Sequence, residues 1–250
     1  MKKQGFTLTD MVITIVVLIV LLYIFMPLNH PNRDRARRTF CMNNQKQIAM
    51  AAYVYADEHD GNFPLSMAYQ PDRNFYEYLN IINDKNNKSE NHPDLLMDYL
   101  QDFDIYQCPF GGYEDEQKAQ DLYGQIPPEQ SLYCSYNFYW NFKPENLDFV
   151  GADRTDCKRA CDRPLSSDFI GWDDGRQGWW ITHYKKNQDA PAIFDGESVR
   201  MGLLEADNKE EKPEDIKMAA SYADGHVEQF DIEDANYLSD KYVLPAKLGL

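Results

Sequence analysis

One long apolar run constrains this chain more than any other feature. From Met11 the sequence reads MVITIVVLIVLLYIFMPLN, and no Asp, Glu, Lys or Arg occurs between Met11 and Asn32. Because a helix needs about 20 mostly apolar residues to cross the hydrocarbon layer of a membrane, the run predicts a transmembrane helix. The residues that follow, FMPLNHPNRDRARR, contain no small-x-small site, which disfavours a cleaved secretory signal.

Charge is divided unevenly along the chain. Residues 1–59 contain 7 basic and 4 acidic residues, a net charge of +3, whereas residues 60–250 contain 18 basic and 37 acidic residues, a net charge of −19. Phosphate contacts need a basic surface, so the acidic part argues against a nucleic-acid partner. The chain therefore separates into a weakly basic N-terminal segment and an acidic globular domain.

The segment after the apolar run has the periodicity of an amphipathic helix. Its pattern ends near Asp60–Gly61, where Gly and the nearby Pro64 favour the end of a helix. The two patterns together predict one continuous helix over residues 6–59, which has 54 residues and is roughly 80 Å long. The apolar positions of its second half recur at spacings near three or four: Ala36, Phe40, Ile48, Ala51, Ala52 and Tyr55.

Strand signals are commoner than helix signals in the acidic domain. Asp195–Gly196 and Asp224–Gly225 each separate two runs of residues that favour strands, which predicts two antiparallel hairpins. One short helix is predicted from Pro93 to Phe103, where Leu and aromatic residues form a single stripe.

The N-terminal residues KKQGFTLTDMVITIVVLIVLLYIF resemble the leader and first helix of type IV pilins and type II secretion pseudopilins. These families share a short basic leader ending in Gly, then Phe-Thr-Leu, then a long apolar helix. The resemblance implies that prepilin peptidase cuts between Gly5 and Phe6 and that Phe6 becomes the N-methylated first residue. It also implies a cytoplasmic leader, and hence a single-pass inner-membrane protein with an extracytoplasmic C-terminal domain.

Two positions in the predicted helix bear on assembly. The family has Glu at the fifth mature residue, where it pairs with the N-terminus of a neighbouring subunit. Here that position is Asp10, so docking by the same charge is expected from a side chain that is one methylene shorter. Pro27 matches a helix-kinking proline of many type IV pilins. Asp10 could instead mark the headgroup boundary of an ordinary anchor, and Pro27 could end the span.

Further stretches resemble a bacterial subfamily of pseudopilin-like proteins with a C-terminal Asp-Gly-His-Val. They are RARRTFCMNNQKQIAMAAYVYADEHDGNFP, YQCPFGG, SYN and SYADGHVEQF. The subfamily has a His followed by nine residues before its Asp-Gly, but Glu214 occupies that position here. The match is specific over residues 1–64 and patchy beyond them.

The expected fold class is α+β, with a long, partly transmembrane N-terminal helix packed on a C-terminal antiparallel sheet. Residues 1–5 are predicted to be the leader peptide and residues 6–29 the transmembrane half of the helix. Residues 30–60 are predicted to be its amphipathic stalk half, and residues 61–250 the acidic extracytoplasmic globular domain.

Cysteines and aspartates supply the candidate bonding sites. An extracytoplasmic compartment permits disulfides, and four cysteines of the domain allow three pairings. Zinc binding at Cys157 and Cys161 is disfavoured because no matching second pair is present. Calcium needs six to eight oxygen ligands, which several carboxylates can supply. The resemblance favours calcium binding by the acidic domain, because major pseudopilins of type II secretion bind calcium. The disulfide candidates are Cys108, Cys134, Cys157 and Cys161, and the calcium candidates are Asp173, Asp174, Asp195 and Asp224.

The sequence predicts a structural rather than a catalytic protein, because it contains no Gly-x-Ser-x-Gly, Walker loop or His-Glu-x-x-His. The resemblance implies a subunit of a type IV pilus-like or type II secretion pseudopilus filament. Its expected partners are other copies and other pilin-like subunits, prepilin peptidase, an inner-membrane assembly platform and membrane lipid, but not nucleic acid. The alternative is a membrane-anchored extracytoplasmic module that binds glycan or calcium and does not assemble.

Overall fold

The chain divides into two compact units, Met1–Ala36 and Arg37–Leu250. They are seen in a computed structural model, which describes part of each unit. The described residues are 7–25, 30–65, 69–70, 75–76, 79–83, 96, 98–100, 102–123, 130–142, 152–184, 189–192, 199–208, 210–214, 216–237 and 243–244.

The N-terminal helical region contains two helices. Helix α1, Leu8–Phe25, has 18 residues, and helix α2, His30–Glu58, has 29 residues. The prediction of one 54-residue helix packed on a single antiparallel sheet is therefore wrong. Pro27 falls between the two helices in the sequence, outside the described residues, and proline lacks the backbone donor that would continue a helix.

No helix in the described part of the chain is both long and apolar enough to cross a membrane. This finding contradicts the predicted single-pass location in the inner membrane.

The rest of the described chain consists of strands and turns, with one further α-helix, α3, Glu116–Tyr123, and short 3-10 helices. The strands are mostly short and are joined by turns. In chain order they are β1 Tyr69–Gln70, β2 Phe75–Tyr76, β3 Ile81–Asn83, β4 Gly112–Tyr113, β5 Leu132–Tyr133, β6 Tyr136–Phe138, β7 Pro164–Asp168, β8 Ile170–Asp173, β9 Gly178–Ile181, β10 Asp189–Ala192, β11 Val199–Glu205, β12 Lys217–Tyr222, β13 Val227–Asp231, β14 Asn236–Tyr237 and β15 Val243–Leu244.

Two larger antiparallel sheets form the framework of the second unit. One has the strand order β10-β11-β9-β8, with β4 also paired to β11, and the other has the order β13-β12-β7-β6. The smaller pairs are β1-β2, β3-β5 and β14-β15. Several short sheets therefore replace the single sheet that the fold prediction expected.

Both hairpin predictions can be compared with the strand pairing. Strands β12 and β13 pair antiparallel on either side of Asp224–Gly225, and Gly225 has a φ of +85°, so this prediction is confirmed. Strands β10 and β11 also pair antiparallel, but their predicted turn at Asp195–Gly196 lies outside the described residues. The short helix predicted from Pro93 to Phe103 is not found in its described part, where residues 98–99 form a turn.

Helix α2 supplies one wall of the main core. Its fully buried positions follow the helical repeat and include polar as well as apolar side chains: Cys41, Gln45, Ile48, Ala52 and Ala56. Part of the predicted apolar stripe is buried, but Phe40 is 54% exposed. The buried face of α2 therefore includes Cys41 and Gln45 and leaves out Phe40, which the predicted stripe had included.

Close packing between β11 and the chain after β9 makes Gly202 sensitive to substitution. A Cβ atom at Gly202 would lie 2.1 Å from the Cβ of Tyr184, which is itself buried. Gly202→Ala is therefore expected to lower the free energy of unfolding by about 1–3 kcal/mol, the usual cost of overpacking. Urea unfolding monitored by tryptophan fluorescence measures this loss.

Gly175→Ala is the matched control, because its new Cβ would meet only the Asp173 carboxylate, at 3.2 Å. Its effect should stay within about 0.5 kcal/mol, as for most surface changes. Equal unfolding midpoints for the two variants would contradict the packing described at Gly202.

Candidate functional site

Helix α1 presents apolar side chains to solvent on every side. The sequence causes this, because β-branched residues and Leu occupy consecutive positions and leave no polar face. A contiguous apolar surface of this kind marks an interaction site rather than an ordinary protein surface. From residue 8 to residue 22, the large apolar side chains are each at least 43% exposed: Leu8, Met11, Val12, Ile13, Ile15, Val16, Val17, Leu18, Ile19, Val20, Leu21 and Leu22.

Asp10 is the acidic residue in the first turn of α1. Its Oδ2 accepts hydrogen bonds from the backbone N of Thr7 at 2.9 Å and from the Thr7 hydroxyl at 2.7 Å. These bonds, the backbone one first, lower the pKa of Asp10. The carboxylate is therefore exposed and ionised at the start of an apolar helix. Gly5, Phe6 and Pro27 lie outside the described residues.

A second candidate site lies inside the globular unit, where two thiols, an imidazole and a carboxylate meet. Cys41 comes from α2, Cys108 follows a 3-10 helix at Phe103–Tyr106, Asp168 ends β7 and His183 follows β9. All four are at most 6% exposed. The fold thus brings together four reactive side chains that are far apart in sequence.

The distances within this cluster are short. Cys41 Sγ lies 3.2 Å from Cys108 Sγ and 3.3 Å from His183 Nε2. His183 Nε2 also lies 3.3 Å from Asp168 Oδ2. Among the described residues, Cys41, Cys108 and His183 form the one group of three side chains with atoms close enough to hold a metal ion.

Backbone and amide groups orient the imidazole and the carboxylate. His183 Nδ1 lies 2.6 Å from the carbonyl oxygen of Lys217. Since a carbonyl only accepts, Nδ1 carries a proton, and Nε2 is the atom that faces the thiols. Asp168 Oδ1 accepts from Gln45 Nε2 at 3.0 Å, and Oδ2 accepts from the backbone N of Ala219 at 2.6 Å.

The two thiols of the cluster differ in pKa. Burial raises the pKa of Cys41 far above its usual value. Burial also acts to raise the pKa of Cys108, but the hydrogen bond with Cys41 and the charge of His183 outweigh it and lower this pKa to about 5. For His183, burial acts to lower the pKa, but Asp168 and Cys108 raise it to about 9. Cys108 is thus the more readily ionised thiol.

The geometry differs from that of a nucleophilic cysteine triad. In such a triad one imidazole nitrogen contacts the thiol and the other contacts the orienting side chain. Here Nε2 of His183 contacts both Cys41 and Asp168, while Nδ1 faces a backbone carbonyl. The arrangement is therefore not that of a nucleophilic cysteine, but it brings Cys41, Cys108 and His183 close enough to bind one metal ion.

The predicted disulfide candidates occupy separate environments. All five cysteines lie in described residues, and all are thiols. Cys108 faces Cys41, which was left out of the predicted set, whereas Cys134 donates to the backbone oxygen of Tyr136 at 3.2 Å. Cys157 is partly buried, and Cys161 is exposed and donates to Asp162.

The described calcium candidates bind neighbouring groups of the protein. Asp173 accepts from the backbone N atoms of Gly175 and Arg176 and from Trp180 Nε1. Asp174 accepts from Trp172 Nε1, and Asp224 accepts from the backbone N of His226. Asp195 lies outside the described residues.

Sequence reasoning missed the Cys41, Cys108, His183 and Asp168 cluster because no spacing motif links these positions. One signal existed: Cys41, Gln45 and Ile48 share a face of α2 at helical spacing, which indicates that Cys41 is buried.

No family model matches the chain, and no curated protein or solved structure is significantly similar to it.

Proposed function

We propose that the chain is a structural subunit of a type IV pilus-like or type II secretion pseudopilus filament, processed between Gly5 and Phe6 and assembled through α1. The observation that carries this proposal is the exposed apolar surface on all sides of α1, with Asp10 in its first turn. The resemblance of residues 1–64 to pilin-like proteins supports it.

Burial of α1 among other helices would supply the driving force for assembly. Each exposed aliphatic side chain contributes about 1.5–3 kcal/mol when it is fully buried. A helix that is apolar all round is stable in an environment that covers every face. A bundle of α1 helices from other copies, or from other pilin-like subunits, provides such an environment.

Asp10 gives the bundle a point of charge recognition. Cleavage after Gly5 would create a new positively charged N-terminus at Phe6, and N-methylation preserves a protonatable amine. The exposed Asp10 carboxylate is ionised and is oriented by Thr7. Pairing of this carboxylate with the N-terminus of a neighbouring subunit would set the register of the packed helices.

Processing is tested by changing the residue before the proposed cleavage site. In cells that contain prepilin peptidase, the wild-type chain is expected to lose residues 1–5 and gain one methyl group. Gly5→Val is expected to keep the leader almost completely, because a branched side chain replaces a residue that has none. Intact-mass spectrometry of the purified chain measures both outcomes.

Gln4→Ala is the control for this experiment, since it changes the leader without altering either residue of the proposed cleavage site. It should be processed like the wild type. A wild-type chain that retains Met1–Gly5, or a Gly5→Val chain that is processed normally, would refute processing at this site.

A further inference from the structure

We propose that Cys41, Cys108 and His183 bind one zinc ion, which fastens α2 to the loop after the 3-10 helix Phe103–Tyr106 and to the chain after β9. Cys41 lies on α2, Cys108 follows that 3-10 helix, and His183 lies just after β9. Their ligand atoms all lie within 4.8 Å of one another. The proposal concerns the globular unit and is independent of filament assembly.

The separations of the donor atoms are slightly shorter than those of a tetrahedral site. Zinc–sulfur bonds of about 2.3 Å and zinc–nitrogen bonds of about 2.1 Å place tetrahedral ligand atoms about 3.6–3.8 Å apart. The observed separations are 3.3 Å between Nε2 and Cys41 Sγ and 3.2 Å between the two Sγ atoms. Movement of the sulfurs by about half an ångström would admit the ion.

The surroundings orient the ligand atoms as they do in known zinc sites. A zinc-bound histidine typically donates its other ring N–H to a carbonyl or carboxylate, which fixes the tautomer. Here Nδ1 of His183 faces the Lys217 carbonyl at 2.6 Å, so Nε2 is the ring nitrogen left to bind the ion. Zinc binding would displace the proton of Nε2, which lies 3.3 Å from Asp168 Oδ2. Gln45 and the Ala219 backbone N hold the Asp168 carboxylate beside the ring.

The donor types favour zinc over hard cations. Two sulfurs and one imidazole suit zinc, whereas Mg²⁺ and Ca²⁺ select oxygen ligands. A Cys41–Cys108 disulfide is the competing use of the two thiols and would need an S–S distance near 2.0 Å. It would also leave His183 Nε2 with no role toward the two sulfurs, whereas a zinc ion uses both thiols and the imidazole.

Metal content of the full chain tests the proposal directly. Protein purified from zinc-supplemented cells and washed with a weak chelator is expected to contain one zinc ion per chain by native mass spectrometry. Replacement of zinc by cobalt should produce a thiolate-to-cobalt absorption band. Removal of the metal with a strong chelator should lower the thermal midpoint, and added zinc should restore it.

Cys41→Ser and His183→Gln should each lower zinc affinity by at least about tenfold. Cys134→Ser, which changes a buried cysteine outside the cluster, should retain the metal. The wild-type measurement does not depend on whether these variants fold. Wild-type chain without zinc would overturn the proposal, whether its mass is two hydrogens lower because of a Cys41–Cys108 disulfide or corresponds to free thiols. Equal zinc loss in Cys134→Ser would also overturn it.

Discussion

Asp168→Ala is expected to lower the free energy of unfolding by about 3–5 kcal/mol, the usual cost of removing one partner of a buried charge pair. Asp168 is completely buried, and its carboxylate contacts three donors. These are Gln45 Nε2 on α2, the backbone N of Ala219 on β12, and His183 Nε2. Alanine would leave all three donors without this acceptor.

The charge of the pair adds to this loss. Burial raises the pKa of Asp168 to about 6, while the charge of His183 opposes that rise. Asp168 is in turn the main factor that raises the pKa of His183 to about 9. Without Asp168, the buried imidazole would lose its main stabilising charge, and burial would favour its neutral form. Urea unfolding in the presence of a strong chelator measures the effect without a contribution from bound metal.

Asp231→Ala is the matched control for Asp168→Ala. Asp231 lies 3.1 Å from Lys217 Nζ, but its side chain is 43% exposed, so this ion pair is largely solvated. Its loss should cost less than about 1 kcal/mol. Similar unfolding midpoints for the two alanine variants would show that the Asp168 network contributes little to stability.

Turn residues predicted local structure well, although the stripe from Pro93 to Phe103 does not form the predicted helix in its described part. Asp224–Gly225 supplies the turn residues that a tight hairpin requires, and β12 and β13 pair around it as expected. The flanks of Asp195–Gly196 likewise pair as β10 and β11. A two-residue turn needs no information from the rest of the chain, so its chemistry can be read from a few neighbouring residues.

Longer-range predictions failed where two local patterns were joined into one element. The apolar run and the amphipathic segment are each helical, but joining them predicted a continuous helix instead of α1 and α2. Hydropathy also placed Phe40 on the buried face, whereas it is largely exposed. Gln45 is buried instead because it bonds to Asp168 and Ala219, and such a partner cannot be identified from periodicity.

The buried cluster was beyond sequence reasoning for the same reason. Cys41 and Cys108 are 67 positions apart, and Cys41 and His183 are 142 positions apart. Their meeting depends on how α2 packs against the ends of β7 and β9. Cysteine counting assigned Cys108 to the other cysteines of the acidic domain because it used domain boundaries rather than contacts.

Asp10→Ala is expected to reduce filament formation by at least about tenfold, since a charge pair that is buried by assembly contributes strongly to affinity and register. The exposed carboxylate in the first turn of α1 would be removed, while the apolar surface of the helix would remain. Filaments sheared from cells that contain a pilus assembly system can be quantified by sedimentation and electron microscopy. Intact mass should show that the leader is still removed, which separates assembly from processing.

Asp10→Glu is the control, because it keeps the charge and lengthens the side chain by one methylene. This variant should assemble like the wild type. An unchanged thermal midpoint for the Asp10→Ala chain would show that the globular unit remains folded. Normal filaments from Asp10→Ala would exclude charge docking at this position. A wild-type chain that never assembles but binds calcium or glycan would instead identify a binding module, because α1 would then have no filament partner.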